Sequence, residues 1–466
     1  MKAQIGLIGL GTMGQNLARN IANHKFKISV FNRTAEKTKI FIKEFENKYL
    51  SGETDLKKFI NNLEKPRKII LLVQAGFAVD KTIKHILPFL QKEDIIIDCG
   101  NSNFLDTQKR CEKLKKKNIN FVGCGISGGE KGALMGPSLM PGGNKKSWEK
   151  IKKIFEKIAA KDFNKKPCVT FIGENGAGHF VKTAHNGIEY GVMQIIAETY
   201  EILQSLYGLK APEISKIFER LDKGNLKSYL LEISTKVLNK KDDFKKGYLM
   251  DFISDKAEQK GTGIWSSQSA LINGAAIPSI TEAVFFRTLS GDTKNRIILS
   301  KIYKNKKSVN YSKLKEILPH IKSALSSAII ITYSQGFELL KTVSKNEKWK
   351  LNLSEIARIW QGGCIIRSDI LKLFQKSLKI TKEKHILADK EVYKELDNSI
   401  KSLREICAVS ALTGIPIPAL SASLNYFDTV RKSKLPTNLI QGLRDFFGAH
   451  TYERTDKKGH FHSTYE

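Results

Sequence analysis

This chain of 466 residues is short of cysteine, long hydrophobic runs and negative charge, and each shortage narrows what it can be. Its six cysteines stand at 99, 111, 124, 168, 364 and 407, with no C-x-x-C pair among them. That spacing removes a disulfide framework and a cysteine metal site, and it fits reduced thiols in the cytoplasm. A long uncharged stretch, 261–281, is broken by Gly, Ser, Gln, Asn and Pro, so it is not read as a membrane span. The opening MKAQIGLIGLGTMG has a lysine followed by apolar residues, as a secretory leader would. Its glycines argue instead for a strand entering a tight turn. Asp and Glu number 47 against 78 Lys and Arg, a formal net charge of +31. Such an excess suits nucleic acid, an anionic membrane surface or small acidic substrates. The lysines are scattered, however, as in KLKKKN (113–118) and KIYKNKK (301–307), and they form no basic arm or aromatic RNA-binding box. No nucleic acid and no membrane is therefore expected as a partner.

What is present begins with QIGLIGLGTMGQNLARNIANH, an apolar strand, a glycine turn and an amphipathic helix. Gly9, Gly11 and Gly14 form G-x-G-x-x-G. The first permits the turn, the second lets backbone approach a pyrophosphate, and the third lets helix pack on strand. Leu10, Thr12 and Met13 complete this cofactor-binding turn. KISVFNRT (27–34) supplies a second strand, giving βαβ at the usual spacing. Where an NAD site places an Asp or Glu for the ribose hydroxyl, this chain has Asn32, Arg33 and Thr34. An arginine there suits a 2′-phosphate, which points to NADP. Further strands are expected in RKIILLVQAG (67–76), EDIIIDCGNSN (93–103) and the start of NINFVGCGISGGEKGALMGPSLMPGG (118–143), whose remainder reads as a long glycine-rich loop. The alternation predicts a doubly wound parallel sheet.

Beyond FIGENGAGHFVK the pattern turns helical to about residue 430, including LKSYLLEISTKVLN and LSEIARIWQGGCIIRSDILKLF. No period of 20–50 residues repeats. The expected fold is an α/β Rossmann-like N-terminal domain (1–177), a large all-α domain (178–433) and an extended C-terminal tail (434–466). The tail is polar and aromatic, of a kind that frays unless docked, and a partner subunit is the expected dock. Its two histidines in GHFHSTYE lack a third ligand, so no metal is assigned.

The segment VKTAHNGIEYGVMQIIAE (181–198) gathers four polar residues on one helical arc. Lys182, His185, Asn186 and Glu189 recur at i, i+3, i+4 and i+7, within an arc of roughly 100° on a helix. Val181, Ala184, Ile188, Val192 and Ile195 take another arc, suited to a core. Taken alone, the polar arc fits either a solvated face or a catalytic face holding a base and an acid.

Together these motifs resemble the 6-phosphogluconate dehydrogenases, decarboxylating NADP enzymes of the pentose phosphate pathway. The likeness runs nearly end to end, through IGLGTMGQNLARNI, FNRT, DCGNSN, GISGGEKGA with GPSLMPGG, VKTAHNGIEYGVMQIIAE, QKGTGIWSSQSA, TEAVFFRTLS, IWQGGCIIRS and RDFFGAHTYER. It implies a homodimer and oxidative decarboxylation of 6-phosphogluconate to ribulose 5-phosphate and CO2. By that resemblance Lys182 is the general base for the C3 hydroxyl and Glu189 the acid that protonates the enediol carbon. His185 and Asn186 would orient hydroxyls and carboxylate, with Ser127, Gly128 and Gly129 at the carboxylate end and Asn101 shared between cofactor and substrate. Tyr190, Lys260 and Arg287 match the phosphate end, and Arg444 and His450 match residues that arrive there from the neighbouring subunit. Val73, Gln74 and Ala75 fall on the nicotinamide side. The chain departs from the family pattern at Ile264 and Gln74, where lysines are common, and neither position carries chemistry in this scheme. The alternative is another β-hydroxy-acid dehydrogenase, of the 3-hydroxyisobutyrate type, whose shorter chains lack the distal cations.

Overall fold

The structure, a computed structural model, describes residues 2–259, 261–303, 318–381 and 384–465. Short, nearly continuous apolar runs form the sheet: β1 (Ile5–Ile8), β2 (Ile28–Phe31), β3 (Leu50–Glu53), β4 (Lys68–Leu71), β5 (Ile95–Asp98), β6 (Asn120–Ser127) and β7 (Ser138–Gly143). They lie in the order β3-β2-β1-β4-β5-β6-β7. All neighbours pair in parallel except β6 with β7, which is antiparallel. Helices α1 (Thr12–Asn23), α2 (Ala35–Glu44), α3 (Leu56–Asn61), α4 (Phe77–Ile86), α5 (Phe104–Lys115), α6 (Gly129–Met135) and α7 (Lys145–Ile158) connect the strands. Strand order reverses between β1 and β4, where a doubly wound sheet opens a ligand crevice at its carboxyl ends.

One expectation needs correction here, and one strand went unread. The stretch after β6 is not a long loop but α6 followed by β7, buried throughout. Its glycines let it sit where side chains could not: a Cβ at Gly142 would lie 2.4 Å from the Gly178 nitrogen, and one at Gly143 2.5 Å from the Phe121 oxygen. The half-buried edge strand β3, LSGE, carries no apolar run that sequence could flag.

The chain then enters its helical part on α8 (Ala177–Tyr207), a 31-residue helix lying directly against β6 and β7. A Cβ at Gly178 would stand 2.2 Å from the Met140 oxygen and 2.3 Å from the Gly123 oxygen. This contact explains why both faces of the helix are buried. It ends at Gly208, in the left-handed conformation that glycine adopts readily. Next come α9 (Ala211–Leu221), α10 (Tyr229–Asn239), α11 (Thr262–Asn273), α12 (Pro278–Gly291), α13 (Thr293–Ile302) and α14 (His320–Asn346). After these follow α15 (Leu353–Ile359), α16 (Ile370–Thr381), α17 (Lys390–Asp397), α18 (Ile400–Thr413) and α19 (Pro418–Val430). LSEIARIWQGGCIIRSDILKLF is thus two helices with a turn over 360–369. Gly363 turns at φ 66°, and its carbonyl accepts the Ser138 N–H at 2.8 Å, so the break ties the helical part to β7.

The two long helices cap two similar hairpins. α12 and α19 both start at a proline after an isoleucine with φ/ψ of −130°/51° and −132°/58°. Glu198 on α8 accepts the N–H groups of Ala419 and Leu420, each at 2.9 Å, while Gln335 on α14 accepts that of Ser279 at 3.0 Å. Orphan donors at both helix starts are satisfied in this way. Burial pushes the Glu198 carboxyl up to about 7, against the bonds it accepts.

The tail comprises α20 (Thr437–Gly448), β8 (Tyr452–Glu453) and β9 (His460–Phe461). Buried Asp445 organises it, accepting from the N–H groups of Thr451 and Ser463, from the Tyr465 hydroxyl and from His462, whose Nδ1 lies at 2.9 Å. Desolvation raises this carboxyl, but the bonds from His462, Ser463 and Tyr465 outweigh it and hold it at about 2. All six cysteines are free thiols, and no helix among the described residues is long and apolar enough to cross a membrane.

Candidate active site

The glycine turn has the geometry its sequence implies. Gly9 has φ 108°, with the Leu72 oxygen 2.3 Å from where a Cβ would stand, and a Cβ at Gly14 would lie 1.9 Å from the Gly9 oxygen. At Gly11 a Cβ would meet nothing within 4 Å, so open space faces the position where backbone should approach a pyrophosphate. The Leu10 N–H donates to Asn32 Oδ1 at 3.1 Å, so Asn32 props the turn. Thr12 is exposed and Met13 half-buried at the first turn of α1. A cavity of about 440 Å³ opens beside the turn, lined among others by Gly9, Asn32, Arg33, Thr34, Val73 and Gln74. Ala75 sits just beyond, half-buried before α4. The residues present therefore fit a dinucleotide.

Asn101 is exposed on the turn after β5. Beneath it buried Asp98 accepts the Ser102 hydroxyl at 2.6 Å and the Gly100 N–H at 3.0 Å. Arg110 reaches under the same turn, 3.7 Å from Asp98, and also binds Asp80 at 2.8 Å and the Gly76 carbonyl at 3.1 Å. It thereby links the turn bearing Asn101 to the loop after Val73–Ala75.

On α8 the polar arc is not a solvated face. Lys182 and Asn186 are each 7% exposed and His185 is fully buried. Lys182 Nζ lies 3.4 Å from His185 Nδ1, which is also 3.3 Å from Asn186 Oδ1 and 3.7 Å from a Glu189 oxygen. His185 Nε2 meets Ser127 Oγ at 3.0 Å. Burial, then the nearby Lys182 charge, holds His185 well below its ordinary pKa, so the ring is neutral and its Glu189 contact is no ion pair. With its proton on Nε2 the ring donates to Ser127 and can accept from Lys182; the other tautomer serves Asn186 instead. Trp360 packs edge-on to His185, ring centres 5.7 Å apart, and fixes its plane. Burial lowers the Lys182 pKa, with Glu189 opposing, and raises that of Glu189, with Lys182 and Arg287 opposing. Both groups are thus moved towards neutrality, the range in which side chains exchange protons near neutral pH.

Ser127 ends β6, and Gly128 and Gly129 turn into α6 at φ 121° and 62°. The Gly363 oxygen would lie 2.6 Å from a Cβ at Gly128, so the turn from the helical part closes over this loop. Tyr190 is one residue beyond Glu189, and the Arg287 guanidinium lies 3.6 Å over its ring. Lys260 lies outside the described residues. Arg444 binds Gln441 within the tail at 3.0 Å, and His450 packs on Phe447 at 6.0 Å, so both stay with the tail and are exposed. Sequence reading missed Trp360, Arg110 and the α4 side of the nucleotide cavity, because these act from turns and helices remote in sequence.

A phosphate-type glycine turn at a sheet switch point, together with a buried lysine and a half-buried carboxyl of converging pKa values, defines a dinucleotide-dependent oxidoreductase of the Rossmann class. Residues 4–173 match the NAD binding domain of 6-phosphogluconate dehydrogenase, and residues 178–465 match the 6-phosphogluconate dehydrogenase C-terminal domain. The chain belongs to the 6-phosphogluconate dehydrogenase family. It is 46% identical over 464 residues to the decarboxylating 6-phosphogluconate dehydrogenase of Lactococcus lactis subsp. lactis, covering 99% of this chain and 98% of the relative. It is likewise 46% identical to the NADP(+)-dependent, decarboxylating 6-phosphogluconate dehydrogenase of Bacillus subtilis, covering 99% of both chains. The Plasmodium falciparum 6-phosphogluconate dehydrogenase, solved apo, with NADP+ and with 6-phosphogluconate, superposes with a TM-score of 0.95 at 42% identity, covering 99% of both chains.

Proposed function

We propose that this chain oxidises and decarboxylates 6-phospho-D-gluconate to D-ribulose 5-phosphate and CO2, with NADP as its cofactor. The observation that carries the reading is the pair of buried Lys182 and half-buried Glu189, two turns apart on one helix face, each with its pKa moved towards the other by desolvation. Neutral Lys182 takes the proton from the C3 hydroxyl. Bound NADP supplies the acceptor for the C3 hydride. The Lys182 ammonium then donates to the new ketone oxygen, drawing the electron pair left when the C1 carboxylate departs as CO2. Glu189 protonates the former C2 while the C3 hydroxyl of the enediol returns its proton to Lys182 and the ketone re-forms. The proton gained by Lys182 replaces the one lost by Glu189, so the pair returns to its start with no net proton exchanged. Ser127, held by His185, and the Gly128–Gly129 turn receive the carboxylate end, while His185 and Asn186 orient hydroxyls. Asn101 sits between substrate and cofactor, and Val73, Gln74 and Ala75 border the nicotinamide.

Tyr190, Arg287 and Lys260 hold the phosphate, joined by Arg444 and His450 of a second copy. Support for that homodimer is the tail's outward apolar surface, with Leu439, Phe446 and Phe447 at 66, 65 and 71% exposure. Leu271 and Ile272 on α11, at 80 and 79%, add to it. We divide the chain into 1–177, 178–433 and 434–466, the last docking on the neighbour, and place the enzyme in the cytoplasm, which suits six free thiols. The 3-hydroxyisobutyrate-type alternative would leave the distal cations without an anion. Initial rates of NADP reduction with 6-phosphogluconate, gluconate and 3-hydroxyisobutyrate test the reading. Turnover of the phosphorylated acid alone is expected; preference for an unphosphorylated acid overturns it. A chain truncated before Arg444 should be inactive, and an active one refutes the shared site.

A further inference from the structure

The nucleotide cavity has two walls. One is the turn after β2 with the start of α2, bearing Arg33 and Lys37. The other is a face of α4, where Ala78, Lys81, Thr82 and His85 recur at i, i+3, i+4 and i+7. Among the described residues, no Asp or Glu lines this cavity. The acids nearest in sequence are engaged elsewhere: Asp80 turns to Arg110 at 2.8 Å, Glu36 pairs with Lys39 at 3.7 Å, and Asp55 caps α3 by accepting the Lys58 N–H at 2.8 Å. Positive charge therefore faces the cavity from both sides without an internal counter-charge. A neutral ribose hydroxyl has no use for such an excess, whereas a phosphate dianion does.

We propose that α4 supplies a second cationic wall for the cofactor's 2′-phosphate, with Lys81 as a specificity-determining residue opposite Arg33. This rests on the NADP reading above and adds to it a residue that the β2 turn does not reveal. Arg33 offers a planar fork, and Lys81 a flexible point charge that follows the phosphate from the far side. His85, one turn further along α4, extends the same wall. Lys81 stands on the ridge between this cavity and a neighbouring groove, which Lys84 lines without touching the nucleotide cavity. Lys84 is therefore a built-in control: same helix, same charge, different surface.

The test uses the full-length protein and four ligands: 2′,5′-ADP and 5′-AMP by calorimetric titration, NADP and NAD by steady-state kinetics. Lys81→Gln is expected to weaken 2′,5′-ADP and to raise the KM for NADP by about tenfold, the size of one charge-assisted contact. Binding of 5′-AMP and the KM for NAD should stay within about twofold, and kcat at saturating NADP should hold, because Lys81 touches no reacting atom. The salt dependence of 2′,5′-ADP binding should also become shallower. Lys84→Gln should leave all four ligands unchanged. The proposal is overturned if Lys81→Gln weakens all four alike, or changes 2′,5′-ADP no more than Lys84→Gln does. The underlying reading fails separately: a wild-type chain binding 2′,5′-ADP no better than 5′-AMP removes the NADP site itself. Loss of 2′,5′-ADP in Arg33→Gln, with Lys81→Gln unaffected, keeps that site and removes only the second wall.

Discussion

Replacing Lys182 with methionine should stabilise the protein while abolishing its turnover. The lysine is 7% exposed, and burial lowers its pKa from the ordinary 10.5, with Glu189 pulling the other way. Between its folded and unfolded pKa values the unfolded chain binds the extra proton, so wild-type stability rises with pH across that window. Below the folded value the penalty is constant and complete. Methionine keeps most of the lysine's length and removes the charge. Exchanging a buried charge for an apolar group of similar volume is neutral to stabilising by about 1–4 kcal/mol. Against that, the 3.4 Å contact with His185 is lost, at a cost of about 1 kcal/mol, and Glu189 loses its opposing charge. The net expectation is a gain of about 1 kcal/mol near neutral pH, shrinking as the pH approaches 10.5. Denaturant midpoints of both proteins, at about pH 7 and again two to three units higher, measure the gain and its slope. The same preparation should show no turnover with NADP affinity within about twofold, an exchange of stability for function. A loss exceeding about 1 kcal/mol, or a difference that ignores pH, refutes the reasoning.

Glu198, with its carboxyl raised from 4.5 to about 7, lets the unfolded chain release its proton first, so wild-type stability should fall as pH rises through that interval. Glu198→Gln should remove that fall, gaining on the order of 3 kcal/mol on wild type between those limits, and parallel pH curves in urea would count against it. Arg110→Met strips Asp98 and Asp80 of their shared cation and should cost about 3 kcal/mol, weakening cofactor binding through the Asn101 turn; an unchanged midpoint and KM would contradict this. Gly128→Ala places a Cβ 2.6 Å from the Gly363 oxygen at φ 121° and should cost about 3 kcal/mol or more, with substrate KM rising as Ser127 shifts. Wild-type kinetics from this variant would mean that the loop moves freely.

The glycine turn and five of the sheet strands were legible because each signal is local: an apolar run, three spaced glycines, a periodic helix. β3 and β7 were not, since LSGE carries no hydrophobic run and SLMPGG reads as a loop. Only its close approach to α8 and β6 makes SLMPGG a strand. On α8 the spacing of Lys182, His185, Asn186 and Glu189 was visible, but nothing in that spacing tells what covers the polar arc. The answer lies in Gly125, where a Cβ would stand 2.4 Å from the Lys182 Cβ, so the sheet itself lies against the lysine. Trp360 and Lys81 escaped for a related reason. Each meets its site from an element distant in sequence, and no periodicity links residue 360 to 185 or 81 to 33. Lys81, Thr82 and His85 do share a face with Ala78, a helical spacing that could have drawn notice once the β2 turn was taken as a phosphate site.

The central claim is that one buried lysine and one half-buried carboxyl couple oxidation to loss of CO2. It is tested most directly by following NADPH and CO2 together during a single progress curve of the purified protein with 6-phosphogluconate. The account predicts that the two products appear in equal amounts throughout, without net proton release in the steps on the protein, and that both vanish in Lys182→Ala. NADPH formed without matching CO2, or formed at near wild-type rate in Lys182→Ala, would contradict it.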